Sequence, residues 1–398
     1  MPWNELTESL GVYPMEGLNA TKRRLVSEGK KVFDFGTGDP KIPTWAPIVE
    51  ALKKNVGIVS QYPSVYGTDD LKKAHFGYLK RRHGIDQTAD IEAIPTQGSK
   101  EGIFHVALSL VGRSNGKKNI IIYPDPGYPV YQASTLFAKG IPYPVRLEES
   151  RGYLLEPWRL PEDIQRSASA IWVNYPHNPT GALAPKSYWE ELVQWGKKFD
   201  VVILADDCYV DIYDPDIDLK NSDSRNSETP ISPLSLSKDR VLAFFSLSKR
   251  SGMTGYRCGF MAGDARLIKS HTKARANFGV GMPNFIQAAA VVAWNDDSHV
   301  EFRKKIFQRR LDLASPIFMS HGLLSKKPRG TFYLWTRIPD SRNHDDIQFA
   351  SELAEEGVIV SPSSWLSEGM KGYVRFALVP EEDEMMQALK IIEKIIKK

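Results

Sequence analysis

The sequence predicts an α/β protein: a large domain built on a mostly parallel sheet between helices, with a smaller α+β domain attached. Three observations lead there. Apolar runs at 119–123, 170–174, 201–205, 241–245 and 259–262 are continuous rather than alternating, the pattern of strands covered on both faces. Helical stretches separate several of them, such as 186–199 before the run at 201–205, and strands joined through helices pair in parallel. After about residue 295 the alternation stops, and two strand patterns, 330–335 and 373–378, sit among helices at 300–319, 346–355 and 381–396.

In chain order, residues 1–32 read as an arm with one helix over 18–27. A short strand from 31 runs into Gly36-Thr37-Gly38-Asp39-Pro40, where glycine allows positive φ or close approach of backbone to a ligand, or simply turns the chain. Helices at 46–56 and 69–82 flank Tyr62-Pro63-Ser64-Val65-Tyr66-Gly67. A strand at 91–96 enters Gln97-Gly98-Ser99-Lys100-Glu101, and a helix over 99–111 leaves it with Ile103, Val106, Ala107 and Leu110 on one face. A weaker strand is expected at 143–146. The stretch 214–239, rich in Ser, Asp and Pro, reads as a long surface excursion. The last helix carries a packing stripe of Met385, Leu389, Ile392 and Ile396. The boundaries that follow are 1–45 for the arm and part of the small domain, 46–295 for the large domain and 296–398 for the small one.

The 398 residues carry 52 basic and 48 acidic side chains, so the surface is mixed. No long basic run interleaved with aromatics is present, which leaves a nucleic-acid function unsupported, while the net +4 suits small anionic ligands. Two cysteines, Cys208 and Cys258, are too few for a disulfide framework and fit a reducing compartment. The start lacks the features of a signal peptide and no run of about 18 apolar residues occurs, so the expectation is a cytoplasmic protein with no membrane span.

The strand ends carry the chemistry, because ligands of such sheets bind at the carboxyl ends of their strands. The run at 241–245 delivers Ser246-Leu247-Ser248-Lys249, with Arg257 eight residues beyond the lysine. Lysine forms Schiff bases with carbonyl compounds, the bond on which pyridoxal phosphate (PLP) chemistry depends, and hydroxyls with an arginine suit a phosphate. An exposed basic loop would share this composition. The run at 201–205 ends in Asp206-Asp207-Cys208-Tyr209. Asp206 directly follows the apolar run, and a buried Asp needs a cationic partner such as a protonated pyridine nitrogen; two solvated turn acids is the plain alternative. Asn178 in Asn178-Pro179-Thr180-Gly181 can aim its amide at a ring hydroxyl, Tyr128 can stack on a ring, and the turn at Gly98-Ser99 offers backbone N–H groups to an anion. His177 reads as a solvated loop residue. No cluster has metal-ligand spacing.

Six features in this order, Gly98-Ser99-Lys100, Tyr128, Asn178-Pro179-Thr180-Gly181, Asp206 to Tyr209, Ser246 to Lys249 with Arg257, and Arg375, make the chain resemble a class I/II aminotransferase of PLP fold type I over nearly its whole length. The resemblance implies a seven-stranded, mostly parallel sheet in the PLP-binding domain. It implies that Lys249 holds PLP as a Schiff base and shuttles the proton, that Asp206 pairs with the pyridine nitrogen, and that Asn178 and Tyr209 bond the ring oxygen. Ser246, Ser248, Arg257 and the backbone at Ser99-Lys100 are then the phosphate ligands. Tyr62 reaches the phosphate of a neighbouring subunit, which implies a homodimer with shared sites. Arg375 grips the substrate α-carboxylate with help from Asn178 and the backbone at Gly38. Two departures are visible: Asp207 stands where the family usually has Glu, and Ser99-Lys100-Glu101 is a less usual phosphate turn.

The implied reaction moves an amino group between an amino acid and a 2-oxo acid, with glutamate and 2-oxoglutarate as the expected pair. The motifs look most like the N-succinyldiaminopimelate aminotransferase branch, with aspartate or a broad acidic or aromatic donor as the other choices. A C–S β-lyase on the same scaffold is the alternative from another reaction class. A regulator built on the fold needs a DNA-binding domain that residues 1–32 cannot supply.

Overall fold

In the computed structural model, residues 4–9, 14–57, 61–112, 116–217 and 229–398 are described, so part of the expected excursion at 214–239 lies outside the described residues. The strands are β1 (Phe33–Asp34), β2 (Ile91–Thr96), β3 (Ile120–Asp125), β4 (Ile141–Arg146), β5 (Ala168–Val173), β6 (Val202–Asp206), β7 (Val241–Ser246), β8 (Gly259–Asp264), β9 (Tyr333–Arg337), β10 (Val358–Ile359), β11 (Ser361–Pro362) and β12 (Tyr373–Ala377). Seven of them form the central sheet in the order β2-β8-β7-β6-β5-β3-β4. Neighbours pair in parallel from β7 to β4, and β8 alone runs against the rest.

The continuous apolar runs follow from this layering. Every residue of β3, β5, β6, β7 and β8 is buried, because helices cover both faces. One face packs Trp189, Leu192, Ile203 and Phe245, and the other packs Ile103, Trp172, Leu204 and Phe244. At the sheet edge, β4 is largely exposed, which accounts for its weak signal.

The remaining strands form a smaller α+β part. β9, β11 and β12 make an antiparallel sheet in the order β11-β12-β9. β1 pairs in parallel with β10, so the N-terminal segment is stitched to the C-terminal part by main-chain hydrogen bonds. Neither β10 nor β11, two residues each, carries a periodic signal. The long helix Ser298–Ser320 and the last helix Glu382–Ile396 close this second core, and Met385, Leu389, Ile392 and Ile396 all face it. The strand expected at 330–335 begins instead at Tyr333, since Thr331 takes φ +63 and turns the chain. The helix expected over 99–111 ends at Val106 and continues as a 3₁₀ turn through Ser109.

Candidate active site

The carboxyl ends of β3, β5, β6 and β7, the exit of β2 and the entry of β8 meet at one edge of the sheet, and a cavity of about 360 Å³ opens there. It is lined by Ser99, Lys100, Tyr128, Asn178, Asp206, Tyr209, Ser246, Ser248, Lys249, Arg257, Gly38 and Arg375 among others. Of the site residues expected from sequence, Gly98 lies behind this wall, and Tyr62 stands fully exposed outside it.

Lys249 sits in a four-residue helical turn, Leu247–Arg250, capped by Ser246, whose Oγ accepts from the Ser248 amide at 3.1 Å. The lysine is half-buried and its Nζ donates to the Gly38 carbonyl, 211 positions away in sequence. Burial brings the amine down to a pKa of about 8, opposed by Cys208 and Asp39 and aided by Arg375 and Arg257.

At the cavity floor Asp206 is only 4% exposed. Tyr131 donates to its Oδ2 at 2.7 Å, while Oδ1 is buried without a hydrogen-bond partner. Burial raises its pKa, with the Tyr131 hydroxyl and Cys208 pulling the other way. An orphaned carboxylate oxygen in the wall of a largely apolar cavity fits a cationic ring nitrogen. Asn174 links strand ends by donating to the Asp206 carbonyl and accepting from the Asn178 amide, at 2.6 and 2.9 Å. Asp207 is buried as well, at 2%, which excludes a pair of solvated turn acids; burial pushes its carboxyl well up.

Arg375, in the middle of β12, is 6% exposed. Its Nη1 donates to Asn178 Oδ1 at 3.0 Å, and its Nη2 to the Gly36 carbonyl and Ser361 Oγ at 2.9 and 3.2 Å. Its guanidinium lies 4.6 Å from the Tyr333 ring centre. Tyr333 is a residue that sequence reading missed: its hydroxyl shares a 2.7 Å hydrogen bond with that of Tyr209, and a Cβ on Gly38 would collide with it. Gly38 therefore has neither a positive φ nor a bare approach to open space; it is glycine to admit Tyr333. An aromatic residue in an apolar strand gives no signal separating this role from packing.

At the opposite end, Gly98 has φ +73 and ψ 162, a region essentially reserved for glycine, and an added Cβ would lie 2.6 Å from Arg257 Nη2. Arg257 is thereby laid across the start of the helix Ser99–Val106, whose first amides lack a side-chain cap. Glu101, in this less usual turn, is bonded to His105 Nδ1 at 3.2 Å, held by Arg275 at 3.1 and 3.2 Å and accepts from the Gln97 amide; against its burial, these partners bring its carboxyl down to about 2 and keep it engaged outside the cavity. His177 is a correction: it is fully buried, bonded to Thr180 Oγ1 at 2.8 Å, and burial drops its ring to about 3.

The sequence profile described as aminotransferase class I and II matches residues 30–392. The chain belongs to the class I and II aminotransferases. It is 33% identical to the LL-diaminopimelate aminotransferase of Aquifex aeolicus, across 98% of this chain and 99% of that protein. Among solved structures, the aminotransferase AspB from Helicobacter pylori superposes with a TM-score of 0.84 at 30% identity, covering 98% of this chain and all of that one. A protein described as a probable N-succinyldiaminopimelate aminotransferase, from Thermus thermophilus, gives 0.84 at 26% identity over 96% of this chain and 99% of that one. The enzyme is a transaminase and its cofactor is PLP. The β-elimination alternative draws no support from these relatives. No described helix is long and apolar enough to cross a membrane.

Proposed function

We propose that the cavity binds PLP with its phosphate at the Arg257 end and its ring nitrogen on Asp206, and that Lys249 is the residue that holds it. The observation that carries the reading is the placement of Lys249, with its lowered pKa, in one cavity with an orphaned Asp206 oxygen and a buried Arg375. When bound, PLP supplies an electron sink for the bond broken at the donor α-carbon. The chain does the rest. Lys249 moves the α-proton, its amine brought down to a pKa of about 8 and so closer to the working range of a general base. Asp206 keeps the ring nitrogen protonated, Asn178 and Tyr209 hold the ring oxygen, and Tyr128 covers the ring. Ser246, Ser248, Arg257 and the amides at Ser99-Lys100 take the phosphate. Arg375 orients the donor carboxylate as a fork, with Asn178 and the Gly38 backbone beside it.

The donor in this reading is an amino acid of the diaminopimelate class, with 2-oxoglutarate as acceptor. The named relative from Aquifex aeolicus supports LL-diaminopimelate ahead of its N-succinyl derivative or aspartate. The working form is a homodimer in which Tyr62 reaches the partner's phosphate site, and the full exposure of its side chain supports this. Residues 46–295 form the cofactor-bearing body, with 1–45 and 296–398 as the smaller one, in a cytoplasmic enzyme.

The test is the visible spectrum of the purified protein while glutamate, aspartate and LL-diaminopimelate are added singly. Conversion to the pyridoxamine form, reversed by a 2-oxo acid, is the expected result. Lys249→Ala should lose turnover by several orders of magnitude, and full activity in that variant would overturn the assignment.

A further inference from the structure

Behind the lysine turn, three side chains form a line of hydrogen bonds to which the reaction described above assigns no role. Ser251, the residue that ends the turn Leu247–Arg250, shares a 2.8 Å hydrogen bond between its Oγ and His299 Nε2. On the other side of the ring, His299 Nδ1 meets Asp296 Oδ1 at 2.7 Å. A ring nitrogen that close to a carboxylate carries the proton, so Nδ1 donates to Asp296 and the bare Nε2 accepts from the serine hydroxyl. The His299 amide donates to the same Asp296 oxygen at 3.0 Å, so one carboxylate aligns both ring and main chain. The ring is 5% exposed and stacks on Trp45, with centroids 5.4 Å apart and planes 7° from parallel. Burial lowers its pKa against the pull of Asp296, which favours the neutral form that this bonding uses.

Serine, histidine and aspartate linked in this order activate a nucleophile in hydrolases. That role is closed here, because Ser251 is wholly buried and no substrate reaches its Oγ. What Ser251 does is hold the turn. Its amide donates to the Leu247 carbonyl at 3.0 Å, closing the backbone around Lys249, while its hydroxyl fixes the same residue to the first turn of the long helix Ser298–Ser320. The next residue is held too, since Thr44 Oγ1 donates to the Gly252 carbonyl at 2.8 Å. Thr44 lies shortly after Gly38, whose carbonyl receives Lys249 Nζ, so one segment touches both the lysine amine and the end of its turn.

Resting on the reading of Lys249 given above, we infer that Ser251 and His299 are positioning residues for the transamination: the line Asp296–His299–Ser251 fixes the end of the lysine turn and thereby the aim of the Lys249 amine. Neither side chain touches the cofactor or the donor. Their effect is on geometry, and a reacting group misplaced by about 1 Å loses on the order of 100-fold in rate.

The experiment follows PLP capture by the apoenzyme, as growth of the bound-cofactor band, and then the single-turnover rate with a donor carrying hydrogen or deuterium at the α-carbon. Ser251→Ala removes one hydroxyl and should slow both by roughly tenfold, with donor affinity unchanged and a larger isotope effect. His299→Phe keeps a ring against Trp45 but loses both bonds, and should slow both by up to about 100-fold. His299→Gln, whose amide oxygen can still accept from Ser251, should recover most of that loss, whereas a role in packing alone would make Phe the better replacement. Adding Ser251→Ala to His299→Phe should cost little more, because the two side chains act through one bond. Rates within about twofold of wild type in Ser251→Ala, or a Gln variant no better than the Phe variant, overturn the inference. A wild-type apoenzyme that captures no PLP fails differently, because that removes the reading of Lys249 itself.

Discussion

At the scale of single residues, burial sets the working properties of the site. A free lysine titrates near 10.4, and Lys249 is brought to about 8 chiefly by its surroundings. Only the neutral amine attacks an aldehyde. Binding of PLP to the apoenzyme should therefore speed up with pH along a curve centred near 8, read as growth of the bound-cofactor band after mixing. A midpoint near 10.4 would mean the lysine is solvated. The same shift bears on stability: between pH 8 and 10.4 the unfolded chain binds more protons at this position, so this group makes the apoenzyme more stable as pH rises through that window. Asp206 is tested by Asp206→Asn, which keeps shape and removes the charge opposite the ring nitrogen. A fall in kcat of roughly 10²–10³ is expected, with the cofactor still bound. His177 shows the limit of local reading, since nothing in Pro176-His177-Asn178 distinguishes a loop histidine in water from one fully buried against Tyr175.

At the scale of elements, the turn that carries Lys249 is only four residues long and cannot hold itself in register. It is held from behind. Arg250, 3% exposed, donates from Nε to Asp211 at 2.9 Å, from Nη1 to the Ala293 carbonyl at 2.9 Å, and from Nη2 to Asp297. Asp211 also accepts from Arg82 and from the Tyr78 hydroxyl, both at 2.8 Å, which joins the helix Asp69–His83 to the lysine turn. Asp211→Ala removes the buried carboxylate shared by the buried Arg250 and the half-buried Arg82 and should destabilise the fold by about 3–5 kcal/mol, measured as the denaturant midpoint. A loss within about 0.5 kcal/mol, the size of a surface change, would show that the network carries no load. Arg250 and Asp211 looked unremarkable in sequence because the partners that bury them lie on other elements.

At the scale of the whole molecule, the site is assembled from both parts of the chain. Lys249 touches Gly38, and Arg375 touches Gly36 and Asn178, so neither part holds a complete cavity. The proposed homodimer predicts sedimentation at twice the chain mass. Tyr62→Ala should then weaken PLP binding by roughly tenfold, the loss of about one hydrogen bond to a charged group, without changing that mass. A monomer with full cofactor affinity would remove Tyr62 from the site.

Strand positions were legible because a layer buried on both faces leaves an uninterrupted apolar run, and the strand ends were legible because polar residues placed directly after such runs have few reasons to be there. Lys249, Asp206 and Asn178 were found by that logic and Arg375 through the family resemblance, and all four line one cavity. The sequence by itself therefore determined the layered fold and the chemical inventory of the site. Tertiary structure alone decided which glycine yields to Tyr333, where Glu101 sends its charge and how the Lys249 turn is braced. These depend on contacts between segments tens to hundreds of residues apart, and no local pattern encodes the distance between two side chains that only the fold brings together.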